Sequence, residues 1–263
     1  FLESLEPQSS EQLTLIANAR VMLSSPLGTI LVDAIHGGGA GFSSVPASIL
    51  NGIEAGSSPI SQADLLCFTH GHPDHFSAAW VQRYLLGNPG VRGIFLPEQF
   101  PCTDPNLMQT ISHNQIPYTP LHLTVGQAIS YSPLPQVTCR IFRSPHAGKE
   151  YRMVEHYCYH FFLEGKQLLF LGDTQCNFPY LQQMLSNASI DILLVNPLFL
   201  RLPEGRDILI RLLRPKLLIV YHIPFSHEDA FGLRKLTART LEKYRSILPP
   251  TVLFTEPMQS LSC

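Results

Sequence analysis

Residues 69–76 read Thr-His-Gly-His-Pro-Asp-His-Phe, directly after the apolar run at 63–68, Ala-Asp-Leu-Leu-Cys-Phe. A strand that stops there and releases a His-x-His-x-Asp-His turn aims several lone pairs at one point in space. Imidazole nitrogen and carboxylate oxygen are the donors that zinc and other borderline divalent ions take up. With 11 His and 8 Asp among 263 residues, the pattern arises by chance roughly once in two thousand chains of this composition.

If this turn binds metal, further ligands belong at the ends of other buried strands, where site residues sit on a rigid scaffold. Three stand there. His146 follows the run 137–143, Asp173 follows the run 167–171, and His222 closes the run 216–221. With His70, His72, Asp74 and His75 they make seven candidate ligands, too many for one tetrahedral ion. A carboxylate between two clusters of histidine is the natural bridge for two ions about 3.5–4 Å apart.

The surrounding pattern suggests how such loops are brought together. Strand-like runs at 13–17, 20–23 and 29–35 are broken by turn residues, and a glycine-rich loop, 37–41, comes next. A short helix is expected over 46–53, then the strand 64–68 and a helix over 77–86 with Ser77 as its cap. A strand at 91–96 leads into a Pro-rich, less regular stretch, 97–135, with one helix near 106–114. Extended runs return at 137–143, 155–164 and 167–171, the last two joined by a hairpin loop at 164–166. Helices near 180–186, 206–213 and 227–247 then alternate with strands at 191–195, 216–221 and 251–254. Strand-rich segments in both halves, each followed by helices, predict one domain over 1–263: a four-layer αββα sandwich of two mixed β-sheets, α/β (α+β) in class.

The five motifs occur in the order found in the metallo-β-lactamase-fold hydrolases, and the chain resembles that family over nearly its whole length. The resemblance implies a first metal on His70, His72 and His146, a second on Asp74, His75 and His222, and Asp173 as bridge. Asp33, at the end of an early strand, matches the family's Asp that holds the His loop from behind. It further implies hydrolysis of a small ester-like substrate, a phosphodiester or lactone, with Asp74 both as ligand and as acceptor of the water proton. The commonest zinc β-lactamases carry Cys where Asp173 stands, so the closer likeness is to the lactonase and phosphodiesterase branch. Two divalent ions are expected, Zn2+ first, with Mn2+ or Fe as alternatives. The alternatives in function are a nuclease or RNA-processing phosphodiesterase and an iron-dependent redox member of the fold.

Composition narrows the partners. A net charge of −2 with 14% charged residues gives no long-range field for nucleic acid. No stretch approaches the ~20 apolar residues of a membrane span, and the start, 1–7, lacks the basic and apolar regions of a secretory leader. Six scattered Cys without C-x-x-C pairing suit a reducing cytoplasm. A small molecule, anionic ones included, is the expected substrate, with homo-oligomers left open. Asn196, His36 and Arg201 are the candidate substrate contacts by location, with Arg143 and Arg152 behind them. His156 and His160 alternate with Cys158 and Phe162 on one strand face and read as strand surface, and the aromatics of 157–162 read as core.

Overall fold

The computed structural model describes residues 11–39, 42 and 45–263; the readings made on 1–7 and on the end of the glycine-rich loop, Ala40 and Gly41, lie outside them. In chain order the elements are β1 (Gln12–Ala17), β2 (Arg20–Ser25), β3 (Gly28–Val32), α1 (Ala47–Leu50), β4 (Leu65–Cys67), α2 (Ala78–Gly87), β5 (Gly93–Pro97), α3 (Pro105–His113) and β6 (Tyr118–Leu121). There follow β7 (Ala128–Leu134), β8 (Val137–Ser144), β9 (His156–Leu163), β10 (Lys166–Phe170), α4 (Phe178–Leu185), β11 (Ile192–Val195), α5 (Leu198–Arg201) and α6 (Pro203–Asp207). The chain closes with β12 (Leu217–Val220), α7 (Leu233–Tyr244), β13 (Thr251–Leu253) and β14 (Ser260–Ser262).

The strands form two mixed sheets, ordered β14-β1-β2-β3-β4-β5-β6 and β13-β12-β11-β10-β9-β8-β7. Each has an antiparallel part, β1 to β3 or β7 to β10, followed by strands that run parallel. The inner faces meet in one core, where Leu15, Val21 and Leu66 of the first sheet join Tyr157, Tyr159, Phe161 and Phe170 of the second. Each such burial stabilises the fold by about 1.5–3 kcal/mol before entropy is counted. The other face of β9 and β10 packs, through Cys158 and Leu169, with Leu181, Leu209 and Leu213 of the helical layer outside. The expected αββα arrangement of two mixed sheets is therefore what the chain adopts.

Three strands escape the sequence reading, and all three are sheet edges: β6, β7 and β14. Pro120 and Pro133 lie within the first two, and proline, which donates nothing to a ladder, is tolerated on edges. The expected helix over 227–247 begins only at Leu233. Asp229 takes the backbone N–H of Leu233 and Arg234 at 2.6 and 3.0 Å, and Gly232 (φ +66°) turns the chain just before the first helical residue.

Strand direction decides where the loops go. Strands β3 and β4 are parallel neighbours, β10, β11 and β12 likewise, and β8 points the same way as β10 because two antiparallel pairings separate them. The segments holding Asp33, the His turn, His146, Asp173, Asn196 and His222 all leave C-terminal strand ends. Cross-sheet hydrogen bonds tie these ends together: Tyr159 Oη donates to Phe68 O at 2.7 Å, and Tyr157 N to Thr69 O at 2.9 Å.

Candidate metal centre

All seven predicted ligands converge. Three overlapping groups have donor atoms within 4.8 Å of one another: His70, His72 and His146; His70, His75 and Asp173; and Asp74, His75 and His222. His70 Nε2 lies 2.9 Å from His72 Nδ1 and 3.3 Å from His146 Nε2. On the other side His75 Nε2 lies 3.2 Å from His222 Nε2, and Asp74 Oδ2 is 3.8 and 3.7 Å from those two nitrogens. Asp173 stands between the sets. Its Oδ1 is 3.5 Å from His222 Nε2, while Oδ2 is 3.5 Å from His75 Nε2 and 3.6 Å from His146 Nε2.

Hydrogen bonds behind the rings assign which nitrogen carries the proton. The buried Asp33 carboxylate accepts from Thr69 N at 2.7 Å, from Thr69 Oγ1 at 2.6 Å and from His75 Nδ1 at 2.9 Å. Since the Thr69 hydroxyl proton goes to Asp33, its oxygen is left to accept from His70 Nδ1, 2.9 Å away. His146 Nδ1 donates to Ala147 O at 2.6 Å. His70 and His146 thus each present a bare Nε2 to the centre, and His75, its Nδ1 held by Asp33, also turns Nε2 there, the arrangement that outer partners impose on metal-binding imidazoles. Asp33 does this from a left-handed backbone (φ +51°) that Asp tolerates better than most residues.

Two supports were not legible as site residues. His156 is buried, and its Nε2 accepts from the Asp173 N–H at 3.0 Å while Nδ1 donates to Ser144 Oγ at 2.8 Å. The reading of His156 and His160 as strand surface is corrected: both are buried under the outer layer. Gly172 (φ +54°) is required beside this contact, because a Cβ there would lie 2.7 Å from His156 Nε2. The second support is Arg20, fully buried, whose Nη2 donates to Asp74 O at 2.5 Å and to His36 Nδ1 at 3.0 Å. Burial drives the Arg20 guanidinium down to about 9, against the opposing pull of Asp74, Asp33 and Glu228.

That contact corrects the expectation for His36. Its Nδ1 also accepts from Gly38 N at 2.7 Å, and the whole side chain is buried, so His36 braces the loop and does not face a substrate. Asn196 lines the mouth of the site, but its Nδ2 donates to Gly172 O at 2.9 Å and its Oδ1 accepts from Leu198 N at 3.0 Å. It anchors the turn that carries Asp173. Arg201 lines the same mouth and is exposed there. This mouth is a cavity of about 250 Å³ whose other walls are largely apolar: Phe42, Tyr151, Leu198 and Leu233.

The donor set suits a pair of divalent ions. Zinc–nitrogen bonds of 2.0–2.1 Å in a tetrahedron put neighbouring ligand atoms about 3.3 Å apart, and the two Nε2 pairs stand at 3.3 and 3.2 Å. The electrostatics point the same way. Burial opposes a charge on His75, yet Asp173 and Asp33 outweigh it and raise its pKa to about 10. Burial likewise opposes the Asp173 charge, but His222 and His75 hold its carboxyl well below the usual range. Burial pushes His70 well below its ordinary value. A site that keeps a proton on a buried imidazole between two carboxylates is a site that attracts cations.

No family model matches the chain, and no curated protein is detectably similar to it. Solved structures do match. The metallo-beta-lactamase fold protein YhfI from Bacillus subtilis superposes with a TM-score of 0.58 at 12% identity, covering 98% of this chain and 100% of that one. Igni18, a metallo hydrolase from the archaeon Ignicoccus hospitalis, gives 0.59 at 13% identity over 95% and 97%. CmlA, a diiron beta-hydroxylase from Streptomyces venezuelae, gives 0.57 at 14% identity over 98% of this chain and 55% of that one.

Proposed function

We propose that this chain, which has the metallo-β-lactamase fold, is a metal-dependent hydrolase that cleaves a small ester-like substrate, a phosphodiester or a lactone. One observation carries the reading: the Asp173 carboxylate reaches both histidine sets, with Oδ2 3.6 Å from His146 Nε2 on one side, and Oδ2 and Oδ1 each 3.5 Å from His75 Nε2 and His222 Nε2 on the other. His70, His72 and His146 would hold one ion, Asp74, His75 and His222 the other, with Asp173 shared. When bound, such a pair makes water nucleophilic at neutral pH and polarises the ester oxygen.

The chain's own residues do the rest. Asp74 turns Oδ2 toward His75 and His222, which leaves Oδ1 to take the proton that the attacking water gives up. Arg20 holds the Asp74 peptide from below, so the carboxylate enters the reaction already oriented. Phe42 and Tyr151 wall the mouth and give it an apolar surface, and Arg201 at its edge suits a negatively charged substrate. Zinc is the first choice for a set of imidazoles and carboxylates without thiolate, and iron accepts the same donors. Likeness to a diiron hydroxylase keeps an iron-dependent redox role as the second reading. An absorbance spectrum of the purified protein, with metal analysis, separates the two.

The test is a panel of p-nitrophenyl phosphodiesters, lactones and thioesters on metal-reconstituted protein. At least one class is expected to turn over, with loss of both activity and one metal equivalent in Asp173→Ala. An Asp173→Ala protein that keeps two metals and full turnover overturns the dinuclear assignment.

A further inference from the structure

Behind His146 lies a second cavity, larger than the mouth at about 410 Å³. Three cations line it, Arg143, Lys149 and Arg152, together with Gln175, and no Asp or Glu among the described residues does. We propose that this pouch is an anion subsite, shaped for a phosphate- or carboxylate-class group held next to the metal centre. As an anion site it stands on the cations and the cavity alone; its use by a substrate rests on the hydrolase reading.

The placement follows from one short turn. Gly148 takes a positive φ of +93°, and Lys149–Tyr151 then form a single 3-10 turn that sends its side chains to opposite sides. Tyr151 packs edge-on against the rings of His72 and His146, centroids 4.8 and 4.9 Å apart, and walls the mouth. Lys149 and Arg152 line the pouch instead. His146 belongs to both cavities, so an anion in the pouch sits one imidazole away from the reacting centre.

The charges there are available. Neither Lys149 nor Arg152 has a hydrogen-bond or ion-pair partner among the described residues, although both are exposed. Arg143 is 19% exposed and is held in place: Nη1 donates to Leu123 O at 2.7 Å and forms an ion pair with Glu155 Oε1 at 3.4 Å, which offsets one of the three positive charges. Its remaining N–H groups are left for a ligand. Glu155 is thus set against three cations. Glu150 lies on the same turn but packs toward Gly148 and does not line the pouch. A guanidinium fixed by backbone and backed by two exposed cations is a usual means of gripping phosphate or carboxylate with several charge-assisted hydrogen bonds. With the apolar mouth on the other side of His146, the substrate class becomes an ester that carries an apolar part and a separate anionic group.

Inorganic phosphate is the probe, titrated calorimetrically into protein stripped of metal, so that coordination to an ion plays no part. Wild-type protein is expected to bind it, and the double variant Lys149→Ala/Arg152→Ala to bind at least tenfold more weakly. Both residues are exposed and outside the core, so the variant folds. A flat titration of the wild type, or equal binding by the variant, overturns the proposal. A matched pair of esters identifies the source of the anion. On metal-loaded protein, the kcat/KM ratio of p-nitrophenyl hydrogen glutarate to p-nitrophenyl butyrate is expected to fall at least tenfold in the double variant if the anion is part of the substrate. An unchanged ratio with lost phosphate binding leaves the subsite standing and assigns it to a free anion. Phosphate binding by a protein inactive on every ester sinks the hydrolase reading and not the pouch.

Discussion

Asp33→Asn is the perturbation that most sharply separates orientation from coordination. Asp33 touches no substrate and is no ligand, yet it accepts three hydrogen bonds, two from Thr69 and one from His75. An asparagine of the same shape tolerates the left-handed backbone at φ +51°, so strain does not enter. It offers one acceptor oxygen and two N–H donors in place of two acceptors. With its oxygen toward His75, its NH2 meets the Thr69 N–H, and a buried donor goes unpaired at a cost of about 1–3 kcal/mol. With the oxygen toward Thr69 N, the NH2 faces His75 Nδ1 and the Thr69 hydroxyl. His75 must then move its proton to Nε2, and the freed hydroxyl proton turns to His70 and pushes that ring the same way. Both outcomes weaken metal binding, by roughly 10–100-fold on the scale seen for outer partners of metal-binding histidines. The assay is a competition titration against a chromophoric chelator, with thermal melts of the metal-free protein in parallel. Affinity for both metal equivalents within twofold of wild type would refute the reasoning.

Three further outcomes are expected. His156→Ala removes the acceptor of the Asp173 N–H and should cut metal affinity and turnover about 10–100-fold, read by metal content and kcat on the ester found active. Burial, with Arg140 adding to it, pushes His160 down to about 4; its unfolded value is about 6.5, so the unfolded chain takes up the proton first as pH falls. Stability is therefore unaffected by this group above about pH 6.5 and declines toward pH 4, by about 3 kcal/mol in all. Urea melts of His160→Phe should show a pH slope shallower by about 1.4 kcal/mol per pH unit in that window, and identical slopes count against the assignment. Finally, each ion present at a hundred times its Kd should add about 2.7 kcal/mol, a rise in Tm of about 5–10 °C for a chain of this size. A chelator should reverse it, and a melt insensitive to both additions contradicts the site.

What could be read in advance follows from range. The His turn is local in sequence, and His146, Asp173 and His222 each mark a strand end, so the converging set needed only the alternation of strands and loops to be found. Asp33 was reachable through the family likeness. Thr69, His156 and Arg20 were not, because their parts depend on tertiary partners: Arg20 meets Asp74 across 54 residues, and His156 meets Asp173 from a neighbouring strand. The same limit produced the misreading of His36, whose partners Arg20 and Gly38 draw it under the loop. In the fold, buried strands announce themselves by apolar runs, whereas β6, β7 and β14 are edges that carry Pro120, Pro133 or alternating serines. Helix α7 starts later than its sequence pattern predicts because Asp229 caps it at Leu233 only once the preceding loop has folded.

The central claim is that two cations share Asp173. Crystals of metal-reconstituted protein, with anomalous scattering collected at the metal edge, test it most directly. Two peaks about 3.5–4 Å apart are predicted, one ringed by His70, His72 and His146, the other by Asp74, His75 and His222, with the Asp173 carboxylate touching both. A single fully occupied peak, or a pair of peaks that Asp173 does not touch, would contradict it.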